Sequence, residues 1–157
     1  MKTALRLTMW LAVTAWLAPL AWAQDEKVDA DKLPQKVKDA IKARFPGATI
    51  TTASKATENG EVIYDIEMTR NGCKHEMDCK EDGTLVDVEN QIDAKDLPAA
   101  VTNAVKVKYP NSTIKEVMEV LVVKDKKETR DHFEVIIDTA DKKEVELAVS
   151  LDGTKIE

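Results

Sequence analysis

With 157 residues, 43% of them hydrophobic but only 4% aromatic, the chain has material for one small core or two very small ones in contact. Its formal net charge of −6 excludes nucleic acid as a natural partner, because phosphate binding needs a basic patch and base stacking needs exposed rings. An acidic balance of this kind speaks for a soluble, self-repelling surface.

The first 23 residues read as an export signal: Lys2 and Arg6, an apolar stretch from Leu7 to Leu20, then Ala21-Trp22-Ala23 in the small-x-small pattern, with cleavage expected between Ala23 and Gln24. No later apolar run approaches the roughly 18 residues of a membrane span, so no stable membrane insertion is expected after signal removal. All three Trp lie in this segment, and its loss removes two basic residues and no acidic one, taking the charge from −6 to −8.

From residue 29 the chain states a pattern and then repeats it. Asp29 to Ile50 lies over Asp93 to Ile114 at a constant offset of 64, and 10 of the 22 positions are identical. The expected units are 24–92 and 93–157. In the first, Leu33, Val37, Ala40, Ile41 and Phe45 are spaced to share one helix face; Leu97, Val101, Ala104, Val105 and Tyr109 do the same in the second. Pro34 and Pro98 suit a first turn that needs no N–H, with Asp31 or Asp96 near the positive helix end. Pro46 and Pro110 stop the helices, and Gly47 or Asn111 tolerates the left-handed residue that follows.

After each helix the period falls to two. Asn59-Gly60, Asn71-Gly72 and Asp82-Gly83 are preferred two-residue hairpin turns, which predicts four antiparallel strands near 48–57, 61–70, 73–81 and 84–91. The turns set a register: Arg70 opposite Cys73, Met68 opposite His75, Ile66 opposite Met77 and Tyr64 opposite Cys79, then Val86 beside Cys79 and Val88 beside Met77. Tyr64/Cys79/Val86 and Ile66/Met77/Val88 form apolar rows to receive the helix. In the second unit the matching rows are Phe133/Val149/Ile156 and Val135/Leu147, given a three-residue loop at Ala140-Asp141-Lys142. Ile50 and the Asn59-Gly60 turn agree on a face only if the first strand carries a bulge. The fold class is thus α+β, with two tandem repeats, each one helix packed on a four-stranded antiparallel meander, and a short last strand in the second.

Leu33-Pro34, Val37, Ala40-Ile41, Phe45-Pro46-Gly47-Ala48, Ile50, Tyr64 and Asp82-Gly83 resemble the PepSY-like domains grouped with β-lactamase-inhibitor-like proteins, and 97–153 resembles a second copy. The resemblance implies a helix on a four-stranded antiparallel sheet, twice, with export to the periplasm or beyond. It also implies action by binding, since the named inhibitor uses a concave sheet surface and PepSY modules occur in protease propeptides. The aromatic residue that often follows Asp-Gly in such domains is replaced by Thr84-Leu85 and Thr154-Lys155, which argues against an aromatic-rich inhibitory face.

Cys73, His75, Met77 and Cys79 alternate along one strand and carry the ligand types that copper or zinc would choose. A straight strand separates Cys73 and Cys79 by roughly 20 Å, so one ion cannot take all four. Their counterparts Val145, Leu147 and Val149 make Met77 and Cys79 core fillers instead. A disulfide is the third reading, since exported chains with two Cys commonly pair them, but within one chain it would turn 73–79 into a loop.

No catalytic constellation or cofactor motif is present: the two His fall in different repeats, and the Asp82 and Asp152 turns lack calcium-loop spacing. The expected activity is therefore a non-enzymatic exported module engaging a protein or peptide partner through its sheet surface, with no cofactor. Met118, Val120, Leu121, Val122 and Val123 are the candidate surface, because four consecutive apolar residues exceed what one core face buries. The rival readings are a soft-metal-binding or redox-sensing protein and a regulator of an exported protease or β-lactamase. Oligomeric state is not specified by the sequence.

Overall fold

The two Leu-Pro pairs end short 3-10 turns (30–32 and 94–96) and launch the two helices, α1 (Gln35–Arg44) and α2 (Ala99–Lys108). The computed structural model describes residues 26–157; the expected signal segment and its Ala23/Gln24 boundary lie outside the described residues. Pro34 and Pro98 stand just before the helices in extended conformation rather than inside the first turn. Leu33 and Leu97, expected as the first residues of the helical stripe, therefore precede the helices, yet both are buried with it. The Phe45 and Tyr109 N–H groups donate to Ile41 O and Val105 O to close the last turns. Asn111 then takes a φ of 63°, the left-handed exit that asparagine tolerates better than most residues.

The eight strands are β1 (Glu26–Lys27), β2 (Thr49–Glu58), β3 (Glu61–Arg70), β4 (Cys73–Lys80), β5 (Leu85–Gln91), β6 (Thr113–Lys124), β7 (Lys127–Asp138) and β8 (Glu144–Ser150). They form one antiparallel sheet in chain order, so the β5–β6 pair joins the two repeats. Val117 packs in the second core and Val123 against the first. Six residues apart on one strand, they point to the same side, which puts α1 and α2 on one face and, among the described residues, leaves the other without a helix.

The register expected between β3 and β4 is the one observed, from Arg70/Cys73 to Tyr64/Cys79. Phe133/Val149, Val135/Leu147 and the Val149/Ile156 bridge also form, as does the three-residue loop at 140–142. The bulge that Ile50 demanded lies between Ile50 and Thr52, with a matching one between Ile114 and Glu116.

Two expectations are corrected. Asp82-Gly83 is not a two-residue turn: the Gly83 N–H donates to Lys80 O and the Lys80 N–H to Thr84 O, making a three-residue loop followed by a bulge. Leu85, not Val86, therefore stands beside Cys79, while Val88 keeps its place beside Met77. The short last strand expected in the second unit is the Ile156 bridge, with Glu157 and Ala148 exchanging backbone hydrogen bonds.

Gly83 and Gly153 do the same work in both copies. Their φ values are +83° and +71°, and a Cβ there would meet Lys36 O at 2.7 Å or Ala100 O at 2.6 Å. The Asp-Gly turn is thus wedged against the first turn of each helix, and only glycine satisfies both the backbone and the space.

Candidate functional site: the uncovered sheet face

Ile66, Met77 and Val88 form a fully buried row beneath α1. Because strand side chains alternate, the residues on either side of each must emerge on the opposite face. Those residues are acidic in all three strands: Asp65 and Glu67, Asp78 and Glu76, Asp87 and Glu89. Pairing aligns them into two rows, Asp65/Asp78/Asp87 and Glu67/Glu76/Glu89. Directly opposed side chains stand about 4.5–5.5 Å apart at Cβ, so six carboxyl groups occupy one block on three adjacent strands.

The rows continue into β6 as Val122 and Val120, then into β7 as Thr129 and His132. Met118 lies beside Gln91 on one side and Glu134 on the other. Although no helix covers this face, Met118 is 1% and Val120 4% exposed, and Glu76 and Glu134 are also buried. Burial without a covering layer means that the sheet curls, so that this face is concave and its side chains shield one another. The carboxylates of Glu58 on β2 and Glu134 on β7 both raise the Asp87 value on β5.

Burial and like charge set the protonation of the block. Burial, then the fields of Asp87, Asp65, Glu58 and Glu76, push Asp78 far above the ordinary carboxylate range. Asp87 is raised less, by burial and the fields of Glu134, Glu58 and Glu76, because a hydrogen bond at Asp78 works the other way. Lys74 lies in the block, its Nζ 2.7 Å from Glu76 Oε1 and 3.5 Å from Glu116 Oε1, while Lys80 is taken by Glu61 at 2.6 Å. At the β7 end, His132 Nδ1 is 2.9 Å from Asp131 Oδ2 and Nε2 3.8 Å from Glu134 Oε1. Burial lowers the His132 value, but these carboxylates outweigh it and leave it raised.

The sequence candidates are spread between the two faces. Met77 and Cys79 sit fully buried in the first core, and burial pushes the Cys79 thiol up to about 12, which makes it an inert core group. Cys73 is exposed at the start of β4, and both cysteines are free thiols. His75 packs its ring 4.8 Å from that of Phe45, with Nδ1 2.9 Å from Asn90 Oδ1. Among the described residues no three His, Cys, Asp or Glu side chains are grouped to hold a metal ion. Of the β6 run, Met118, Val120 and Val122 belong to the concave face. Leu121, paired with Val88, and Val123 belong to the helix side.

The acidic block escaped sequence reading although its signal was present. Asp65-Ile-Glu67, Glu76-Met-Asp78 and Asp87-Val-Glu89 flank the very row that identified the core.

The model of the PepSY-like, β-lactamase-inhibitor-like family matches residues 16–87 and 62–156. Among solved structures, a DUF2874-family protein from Bacteroides uniformis is similar at 17% identity and a TM-score of 0.59, covering 79% of this chain and 88% of that one. A Bacteroides eggerthii protein described as a candidate periplasmic protein aligns at 16% identity and a TM-score of 0.58, over 79% and 87% of the two chains. A BLIP-like protein from Bacteroides fragilis aligns at 22% identity and a TM-score of 0.52, over 79% and 83%. At these identities the likeness is one of fold. Comparison with curated proteins finds no match.

Proposed function

Because the chain belongs to the PepSY-like, β-lactamase-inhibitor-like family, we propose that it is an exported, non-enzymatic binding module that holds a protein or peptide partner on the concave face of its sheet. The units would be 24–92 and 93–157, acting jointly, since the face runs across the β5–β6 junction. One observation carries this reading: both helices cover the same side, so an eight-stranded sheet leaves its other face without a layer. Val122 supplies a half-buried apolar shoulder over the buried Met118 and Val120, while the flanking carboxyl groups supply a polar rim, the usual division of labour in a recognition surface.

Export to the periplasm, expected from the leader, agrees with the description of the Bacteroides eggerthii neighbour. Catalysis is no part of the proposal, since the ionisable groups of the face are carboxyls, lysines and one histidine with no nucleophile set among them.

A photo-crosslinking side chain at Val122, compared with one at Val107 on the outer side of α2, 83% exposed, tests the reading in cells of the source organism. Discrete adducts from position 122 and none from 107 are expected. Capture at neither position, or equally at both, would overturn it.

A further inference from the structure

We infer that the partner presents to this face a cationic extended segment, with Lys or Arg at alternate positions, laid along β3–β5. The inference rests on the proposed use of the concave face and adds the chemistry of its occupant. Three observations converge on it.

The first is charge. Like charges directly across a sheet are destabilising, yet Glu67/Glu76 and Glu76/Glu89 stand opposite one another, and Asp78, which holds its proton, lies between Asp65 and Asp87. The lysines on this side of the same strands are Lys74 and Lys80, and Lys80 is engaged by Glu61. A surface so arranged is complementary to positive charge, and burying part of it would strengthen the attraction.

The second is that the fold does not ask for all of these groups. In the second repeat the residues flanking Val135 and Leu147 are Glu134 and Ile136, Glu146 and Ala148. The positions of Glu67 and Asp78 are thus filled by Ile136 and Ala148 in a unit with the same core.

The third is shape. No three of the carboxyl groups converge as the ligands of one ion would. They are spread at the spacing of the sheet, about 6.5–7 Å along each strand. That is also the spacing of every second side chain in an extended peptide, so successive Lys or Arg residues can meet Asp65 and Glu67, or Asp87 and Glu89, in step. Val122 lies on the neighbouring strand in the row of Asp87 and, being half-buried, can take an apolar side chain of the same segment.

The test uses fluorescein-labelled 12-residue peptides alternating Lys-Val, Gln-Val or Glu-Val, followed by fluorescence anisotropy in 50 mM salt. Lys-Val should bind, and at least tenfold more weakly to the D65N/E67Q/D87N variant. A control that removes equal charge elsewhere, D31N/D39N/D141N, should stay within twofold. Affinity should fall as salt rises.

Gln-Val binding as tightly as Lys-Val, or equal loss in both variants, would overturn the cationic occupant. If the Val122 cross-link still captures a partner, that failure leaves the binding-face reading standing. Calcium chloride alone, titrated by calorimetry, would also overturn it if it bound the wild type but not the triple variant and displaced Lys-Val. So would a dimer in sedimentation that the triple variant loses, since the occupant would then be a second copy.

Discussion

The two repeats present nearly the same face to their helices and different faces to the outside. Beneath α1 lie Tyr64, Ile66, Met77 and Cys79; beneath α2 lie Phe133, Val135, Leu147 and Val149, in the same register. On the far side, the first copy sets six carboxyl groups on β3–β5, whereas the second has Glu134, Ile136, Glu146 and Ala148 on β7 and β8 and no complete fourth strand. Packing holds the helix side constant because a core tolerates few changes of volume. The other side is free of that demand, so what one copy carries there and the other lacks is not required by the shared core.

The largest effects should ignore this difference. Met77→Ala and Leu147→Ala each remove a fully buried side chain from equivalent places, and each should cost about 2–5 kcal/mol by urea unfolding followed by circular dichroism. Because the sheet is continuous through β5–β6, both variants should still unfold in one transition. A cost in only one of them, or two resolved transitions, would break the equivalence of the copies.

Next come the turn glycines. Gly83→Ala and Gly153→Ala force a Cβ into a helix carbonyl at positive φ, and about 1–3 kcal/mol should be lost at each site. Gly72→Ala, at a turn with open space around it, separates backbone strain from collision and should cost less. Equal losses at positions 72, 83 and 153 would remove the helix contact as a cause.

The outer face should then show itself through pH. Asp78 and Asp87 have folded values raised to about 9 and about 6 from 3.8, so the native state holds protons that the unfolded chain releases. Their contribution is full below the unfolded value and is lost as pH rises through the folded values. The melting temperature should therefore fall between pH 5 and pH 9. Asp78→Asn should raise it at pH 8.5 by on the order of 4 °C and flatten the profile. Ala148→Asp, which sets a carboxyl opposite Glu134, should give the second copy a similar slope. A wild-type profile that is flat or rises over this range would contradict the coupling of the block.

Much of this was legible in the chain before folding. The repeat and the change of period gave two helices and their strands, and Asn71-Gly72 fixed the β3–β4 register because both central residues accept positive φ. Asp82-Gly83 misled because a dipeptide that suits a two-residue turn equally suits a three-residue loop with glycine last. Leu33 and Leu97 kept helical spacing while lying just past the 3-10 turns and before the helices, since burial depends on direction and not on the hydrogen bonds of the residue. The acidic rows were implied by the register, but nothing local in the sequence separates them from ordinary surface charge. The curl that half-buries them arises from twist accumulated over eight strands, and the joining of the copies at β5–β6 depends on a pairing across the intervening α2. Neither is a local signal.

The smallest effect concerns how the copies are held together. The β6–β7 hairpin of the second repeat is two residues longer on each strand than the β2–β3 hairpin of the first. Its extra length lays Val123 on the first core and brings Glu128 to the last residue of α1. There Arg44 Nε and Nη2 donate to Glu128 Oε1 and Oε2 at 2.8 and 3.1 Å, with the guanidinium 4.8 Å from the Phe45 ring centre. Both side chains are 30% exposed, so the pair is neither fully screened nor burdened with full desolvation, and its two-pronged geometry favours the upper part of the surface range. A double-mutant cycle with Arg44→Gln and Glu128→Gln should give a coupling of about 0.5–1 kcal/mol, reduced in 1 M salt. Val123→Ala should cost more than the cycle yields, because the apolar contact is the larger part of the clamp. If the coupling is zero while Val123→Ala retains its cost, the hairpin is held by packing alone, and the outer face then depends on that contact to keep both copies in one concavity.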